Sequence, residues 1–144
     1  MDRPPPTAPV GLRLARTARA VTQTFDRALA EAGGSLATWQ VLVLIRSQQW
    51  GTQSEIAAAM GVTAATLTHH LRALERQGLV RRWREDGNRR VQRVELTGAG
   101  TALFDRLRTV AHAHDERLRS ELSAADERRL VALLDKLDAG LAAP

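Results

Sequence analysis

The chain of 144 residues contains no cysteine. This absence excludes disulfide bonds, cysteine-ligated zinc fingers and a switch that depends on thiol oxidation. No apolar run reaches the roughly 18–20 residues that a membrane-spanning helix needs, and residues 1–10 lack the apolar core of a signal peptide. The sequence therefore predicts a soluble cytoplasmic protein with no membrane partner, whose proline-rich residues 1–10 form an extended or disordered arm.

Aromatic residues are also scarce: they make up 3% of the chain, and tyrosine is absent. Lysine is nearly absent, since Lys136 is the only one among 21 basic residues. Hydrophobic residues nevertheless reach 44%, which is enough for one domain to bury a core. The net charge of +5 favours a polyanionic partner, but charge alone does not choose among DNA, RNA and a membrane surface.

Groups that would support catalysis or a metal site are missing as well. Most serines stand where helix caps are expected, and there is no paired-carboxylate cluster or phosphate-binding glycine loop. His112 and Glu116 share a helix face at i,i+4, whereas His114 falls in an apolar stripe. We therefore predict no enzymatic activity, no bound metal and no cofactor.

Apolar residues recur every three or four positions near both ends of the chain. This period predicts amphipathic helices over residues 11–32, 101–122 and 124–141. A further helix is expected to begin after Ser35 and to end at Gly51. The apolar faces of the terminal helices are too extensive for a small central module to cover, so we expect them to form a dimer interface.

Two helical segments in the centre of the chain are joined by a tight turn. Thr52 and Glu55 form a capping box, in which the threonine caps the first turn and the glutamate bonds back to it. Residues 61–63 (Gly-Val-Thr) form the turn, and Thr63 caps a longer helix that Gly78 ends. A short helix, a turn with glycine and a longer helix are typical of a helix-turn-helix.

An arginine-rich hairpin follows the longer helix. Strands are predicted over residues 79–85 and 91–96, with residues 86–88 (Asp-Gly-Asn) as the turn. Six arginines are too many for a hairpin whose charge merely prevents strand aggregation. Thr97 is expected to cap the next helix. The predicted fold is mainly α with a small β-wing, in the order α-α-α-α-β-β-α-α.

These elements predict a winged helix-turn-helix DNA-binding domain at residues 33–100 and a helical dimerisation region at residues 11–32 and 101–144. The second helix of such a motif lies in the major groove, where Arg72 can pair bidentately with guanine. Arginines near the wing tip are expected to reach the minor groove or its phosphates. The predicted DNA-binding residues are Thr63, Ala64, Ala65, Thr68, His69, Arg72, Arg82, Arg84, Asn88, Arg89 and Arg90.

The motifs resemble the MarR family of bacterial winged-helix regulators. The hairpin followed by Leu-Thr-x-x-Gly at residues 96–100 is the most specific element. The resemblance implies a homodimer that binds a pseudo-palindromic operator in double-stranded DNA, represses transcription and releases the DNA on binding a small anionic or aromatic ligand. It covers roughly residues 12–140 and rests on residues 52–57, 61–63, 74–82, 88–90 and 94–100.

Two residues depart from the family pattern. The wing usually carries Asp-x-Arg, and Asn88 replaces the aspartate here, so Arg90 loses a charge-assisted brace. The position of His69 often holds arginine in the family. A histidine makes a weaker, pH-dependent contact there.

A ligand pocket is expected between the dimer helices and the winged module. Its candidate lining residues are Phe25, Trp39 and His70, and the alternative for Trp39 and His70 is a purely structural, buried role. Family members that sense peroxides use a cysteine, so that mechanism is excluded here. A second function stays open at this level: an architectural or non-specific DNA-binding protein that has no effector.

Overall fold

The structure is a computed structural model that describes residues 9–47 and 51–142. Most of the predicted N-terminal arm lies outside the described residues. Where the chain is described, the predicted order α-α-α-α-β-β-α-α and the fold class are confirmed. The elements are α1 (Val10–Glu31), α2 (Leu36–Arg46), α3 (Gln53–Met60), α4 (Ala64–Arg76), β1 (Val80–Glu85), β2 (Asn88–Leu96), α5 (Gly98–Ser120) and α6 (Ala124–Ala142).

The chain divides into two compact units, residues 1–110 and residues 111–144. The first unit holds the helix-turn-helix and the wing, and each of its helices and strands contributes to one buried core. The inner positions predicted for α4 are all buried. The core residues are Leu29, Val41, Leu42, Ile45, Ile56, Ala57, Leu67, Leu71, Leu74, Val80, Val94, Leu103, Phe104 and Leu107.

Polar side chains cap the helices where the sequence predicts them. Ser35 Oγ accepts the backbone N–H of Thr38 at 3.1 Å at the start of α2. Ser123 Oγ accepts the N–H of Asp126 at 3.1 Å at the start of α6. Each bond satisfies a backbone donor that has no partner within its helix, and such a cap is worth about 1 kcal/mol.

The Leu-Thr-x-x-Gly segment closes the base of the wing. Thr97 Oγ1 donates to the Gly78 carbonyl at 2.5 Å and accepts the Gly100 N–H at 3.1 Å. A Cβ on Gly100 would stand 1.9 Å from the backbone oxygen of Leu79. Glycine is therefore required at position 100, because the first turn of α5 lies directly against the chain that leaves α4.

Two helix ends differ from the prediction. α2 ends at Arg46, before the expected Gly51, and Ser47 follows it as the C-cap. The Ser47 N–H bonds to the Val43 carbonyl at 2.9 Å and its Oγ to the Leu44 carbonyl at 2.8 Å, which satisfies acceptors of the last turn. α5 ends at Ser120 rather than at residue 122. The Ser120 Oγ donates to the Arg117 carbonyl at 2.8 Å, which satisfies a last-turn acceptor in the same way.

No single helix among the described residues is long and apolar enough to cross a membrane. α1 and α2 meet that criterion only as a pair, and an 80° bend separates them.

Candidate nucleic-acid interface

α3 begins with the predicted capping box. Thr52 Oγ1 accepts the Glu55 N–H at 3.3 Å, and Glu55 Oε2 accepts the Thr52 N–H at 3.0 Å. Hydrogen bonding to the Glu55 carboxyl, first from the Thr52 backbone and then from the Thr52 side chain, lowers its pKa. A charged Glu55 therefore stabilises the N-terminal turn of α3.

Gly61 makes the turn between α3 and α4. Its φ of 66° lies in the left-handed region, which glycine adopts without the penalty that a Cβ brings. Thr63 then caps α4 by accepting the Thr66 N–H at 3.1 Å. The predicted turn and cap are thus confirmed, and they determine where α4 begins.

The outward face of α4 carries four of the predicted DNA-binding residues. Ala64, Ala65, His69 and Arg72 are all exposed. Within the described part of the chain, Arg72 forms no ion pair. A guanidinium, an imidazole and two methyl groups are therefore available on one helix face, and these groups suit the edges of base pairs in a major groove.

Thr68 is placed differently from these four residues. It is half-buried, and Gln53 Nε2 donates a hydrogen bond to its Oγ1 at 2.7 Å. Gln53 is the first residue of α3, so this bond ties the start of α3 to the middle of α4. The helical period of α4 alone could not identify Gln53, because it lies 15 residues earlier on another helix.

The wing strands differ from their predicted bounds. β2 begins at Asn88 and not at Val91, because only Asp86 and Gly87 form the turn. Gly87 has a φ of 88°, which an Asp-Gly hairpin turn requires. β1 begins at Val80, one residue later than predicted.

A bulge brings two arginines to the tip of the wing. Arg84 pairs with Gln92, while the adjacent Glu85 pairs with Asn88, so residues 89–91 bulge out of the ladder. Arg89 and Arg90 lie in this bulge, and both are exposed. Such bulges redirect side chains at the edges of sheets.

Contacts with the backbone hold the bulge in shape. Arg84 Nη1 donates to the Arg89 carbonyl at 2.6 Å, and the Asn88 side-chain oxygen accepts the Arg90 N–H at 3.3 Å. Asn88 therefore braces the backbone of Arg90. In residues 9–47 and 51–142, neither Arg89 nor Arg90 forms an ion pair.

Arg82 was predicted to bind DNA, and its surroundings argue for another role. Its Nε and Nη2 both donate to Glu75 Oε2, at 3.1 and 2.7 Å. Its side chain is only 13% exposed. This pairing links β1 to the last turn of α4 and leaves little of the guanidinium for a phosphate or a base.

Two further wing arginines form ion pairs between the strands. Arg81 pairs with Glu95, and Arg93 pairs with Glu85 at 3.3 Å. The Arg81 guanidinium also lies over the ring of Trp83, 5.1 Å from its centroid. Among the described residues, the six wing arginines thus divide into three with carboxylate partners and three near the tip without them.

A cavity of about 400 Å³ lies between the helix-turn-helix and the wing. It joins the first turn of α3, the start of α4 and the inner end of the bulge. Its position makes the helix and the wing parts of one continuous surface. The lining residues are Thr52, Gln53, Ser54, Ala64, Arg90, Val91 and Gln92.

Positive charge is concentrated in this part of the chain. Residues 33–100 contain nine arginines and five carboxylates, whereas residues 101–144 contain seven basic and eight acidic residues. The excess lies in the predicted DNA-binding segment, as expected for a surface that meets a phosphate backbone.

The three predicted pocket residues have separate surroundings. The Trp39 ring stacks on Phe104, with centroids 5.6 Å apart and planes inclined by 15°. Phe25 packs against the core. His70 lies on α4, with its ring 6.1 Å from that of His69.

Phe104 has two cationic neighbours that the sequence did not indicate. The guanidinium carbons of Arg46 and Arg108 lie 6.0 and 5.7 Å from its ring centroid. Stacked aromatic rings flanked by guanidinium groups suit an anionic aromatic compound. Arg108 also pairs with Asp105 at 3.4 Å, which partly compensates its charge.

No three histidine, aspartate or glutamate side chains in the described residues are grouped to hold a metal ion. His112 and Glu116, which the sequence places on one face of α5, are both exposed.

Comparison with known proteins agrees with these features. The family model described as "MarR family" matches residues 35–91, which run from the cap of α2 into the wing. The HTH-type transcriptional repressor Rv2887 of Mycobacterium tuberculosis is 29% identical over 130 residues, covering 90% of this chain and 94% of the relative. The HTH-type transcriptional regulator PecS of Dickeya dadantii is 28% identical over 129 residues, covering 87% and 77%.

Solved structures give the same result. The transcriptional repressor CouR bound to a 23-mer DNA duplex superposes with a TM-score of 0.82 at 29% identity, covering 90% of this chain and 92% of CouR. The S. aureus MepR–DNA complex superposes with a TM-score of 0.85 at 23% identity, covering 93% and 99%, and this likeness concerns the fold.

Proposed function

Because this chain belongs to the MarR family, we propose that it is a homodimeric, sequence-specific repressor that leaves its operator when a small ligand binds. The observation that carries the proposal is one surface of the first unit. It combines the exposed face of α4, which carries Arg72, with the wing tip, which carries Arg89 and Arg90. None of these three arginines has a carboxylate partner among the described residues. Its site of action is duplex DNA of the nucleoid.

In this proposal, α4 lies in the major groove. Arg72 pairs with guanine O6 and N7, and His69 donates to a base acceptor or to a phosphate. Thr63, Ala64 and Ala65 at the start of the helix contact the sugar-phosphate backbone or thymine methyl groups. Thr68 contributes a hydroxyl proton, since its oxygen already accepts from Gln53.

The wing tip then enters the adjacent minor groove. Arg90 is the inserted residue, and Arg84, Asn88 and Arg89 hold or flank it. Narrow A·T-rich grooves concentrate negative potential, so they favour an arginine that has no internal partner. Arg82 contributes through the position of β1, because Glu75 occupies its guanidinium.

A second copy of the chain supplies the other half of the DNA contact. Residues 33–100 act as the DNA-binding domain, and residues 11–32 and 101–144 act as the dimerisation region. The support for this assignment is the leucine stripe of α6, a helix in which no residue is buried within the single chain. Two copies would bind a pseudo-palindrome whose half-sites lie about one helical turn apart.

The proposed effector is a small aromatic anion. The support is the stacked pair of Trp39 and Phe104, with the guanidinium groups of Arg46 and Arg108 near the Phe104 ring. Phe25 and His70 are further candidates for this pocket. A ligand that binds only the DNA-free conformation would lower operator affinity in proportion to its preference for that conformation.

The test is a selection of genomic fragments by the purified full-length protein at physiological salt, with Arg90→Ala as the control variant. We expect enrichment of one pseudo-palindrome with A·T-rich flanks, and a weaker preference for those flanks in the variant. Enrichment of no sequence, together with a steep dependence of binding on salt, would instead support an architectural DNA-binding protein without an effector.

A further inference from the structure

Arg93 of β2 connects the wing to the helix-turn-helix. Its Nη2 lies 3.3 Å from a carboxylate oxygen of Glu85 on β1. Its Nη1 lies against Gly51, since a Cβ on Gly51 would stand only 2.7 Å from that nitrogen. Its backbone forms an isolated antiparallel bridge with Thr52, the N-cap of α3. Arg93 therefore contacts both the other wing strand, β1, and the segment that precedes α3.

We infer that Arg93 is a positioning residue, which sets the angle of the wing against α3 and α4 and does not itself contact DNA. This role rests on the proposed function, because the angle matters only if the wing tip meets DNA.

The charge of Arg93 is already matched within the protein. Glu85 pairs with it, whereas Arg89 and Arg90 at the tip form no ion pair within the described residues. The positive field of Arg93 also extends to the start of α3. It contributes, after the hydrogen bonds from Thr52, to lowering the pKa of Glu55. These interactions favour a structural use of the guanidinium over a contact with phosphate.

The backbone hydrogen bond that joins β2 to the segment before α3 is weak without the Arg93 side chain. The Val94 N–H reaches the Gly51 carbonyl at 3.4 Å, a long distance for such a bond. The guanidinium that lies on Gly51 adds a second contact between the same two segments. Loss of either contact is therefore expected to let the wing tilt away from α3.

A small tilt is enough to affect DNA binding. Arg90 lies three residues from Arg93 along β2, which corresponds to a lever of about 10 Å at roughly 3.3 Å per residue. A tilt of about 10° would move the tip by about 2 Å, which exceeds the roughly 0.5 Å range of distances that a hydrogen bond to a base or phosphate tolerates.

Two substitutions test the inference by different routes. Arg93→Met keeps the aliphatic stem and removes the charged group. Gly51→Ala places a methyl group where the guanidinium lies, yet it removes no charge and lies outside the wing. Gly51 does not have a positive φ, so alanine fits its backbone. Gly51→Ala therefore shows what displacing the Arg93 guanidinium does to DNA binding when no charge is lost.

Matched controls exist for both variants. Arg81→Met removes a wing arginine that also pairs across the strands, with Glu95, but makes no contact with Gly51. Gly98→Ala adds a methyl group where nothing lies within 4 Å.

The first readout is affinity for an operator with A·T-rich flanks, measured in a double-mutant cycle with Arg90→Ala. We expect Arg93→Met and Gly51→Ala each to weaken binding about 3–10-fold, and neither to weaken it further once Arg90 is alanine. Losses that simply add to that of Arg90→Ala would overturn the inference. So would a loss in Arg93→Met with none in Gly51→Ala, because Arg93 would then be a DNA contact in its own right.

The second readout needs no DNA. In the free full-length protein, both test variants should speed amide hydrogen exchange at Val94, and both controls should leave it unchanged. Unchanged exchange in the test variants would overturn the inference even if DNA affinity fell. If the wild-type protein selects no operator, the proposed function fails, while this measurement still decides whether Arg93 holds the wing.

Discussion

Arg82 and Arg90 carry the same charge on the same hairpin, and their neighbours give them different roles. Arg82 is held by Glu75 and is mostly covered, whereas Arg90 is exposed in the bulge and its guanidinium has no ion-pair partner among the described residues. A paired guanidinium gains little by moving to a phosphate, because it must first leave its carboxylate. We therefore expect the tip arginines to dominate the contribution of the wing to binding.

Arg72→Ala tests base recognition at the residue scale. We expect a loss of roughly 1–3 kcal/mol in binding and a relaxed preference at one base position, because a bidentate contact to guanine disappears. Competition binding with operators altered at single positions would measure both effects.

Arg76→Ala is a suitable control, since Arg76 is also an exposed arginine of α4 but lies at its far end. Equal weakening of all operator sequences by Arg72→Ala would identify Arg72 as a phosphate contact instead.

At the scale of single elements, local hydrogen bonds account for where the helices begin. The capping box of α3 is stronger when Glu55 is ionised, because a charged carboxylate is a better acceptor for the Thr52 N–H than a neutral carboxyl. The pKa of Glu55 is lowered in the folded protein, mainly by the bonds from Thr52. Its contribution to stability is therefore fully present above the ordinary glutamate pKa and is lost as the pH falls through the lowered one.

Glu55→Gln should remove this part of the acid sensitivity. The glutamine still bonds to the Thr52 N–H but does not titrate. As the pH falls below about 4.5, the urea midpoint of unfolding should therefore decrease less in this variant than in the wild type. Glu116→Gln, which alters an exposed carboxylate of α5, serves as the control. Parallel pH profiles for Glu55→Gln and the wild type would show that the cap is not linked to acid stability.

The whole molecule presents one large apolar surface that a single chain does not cover. The leucines of α6 are 37–84% exposed. Four of them lie on one face of the helix, because they follow one another at i, i+4, i+7 and i+11. Uncovered stripes of this kind mark interaction sites. The leucines on this face are Leu130, Leu134, Leu137 and Leu141.

Leu134→Arg tests the proposed dimer. We expect it to produce a monomer in sedimentation, because an arginine at the centre of the stripe would be buried without a partner. Operator affinity should fall at least about tenfold, since two half-sites would no longer be held together. Val131→Arg is the matched control: Val131 is 52% exposed but lies away from the stripe. A dimer that persists in Leu134→Arg would exclude this face of α6 as the interface.

Features that depend on neighbouring residues in the chain could be read from the sequence. The caps at Ser35, Thr52 and Thr63, the left-handed glycine at 61 and the buried positions of α4 all follow from local hydrogen bonding and helical period. The element order and the fold class followed from them. The helix ends at Arg46 and Ser120 were misplaced, because no glycine or proline directly follows either residue to mark the end in the sequence.

Packing between distant segments selects which of the chemically similar side chains are available to a partner. Glu75 forms an ion pair with Arg82, Gln53 donates a hydrogen bond to the Thr68 hydroxyl oxygen, and the guanidinium of Arg93 lies on Gly51. Each of these contacts joins residues of different segments, and the partners meet only after the segments have packed. Local patterns therefore fix the elements and the outward face of α4, whereas long-range packing selects which arginines stay without an ion pair in the described part of the chain.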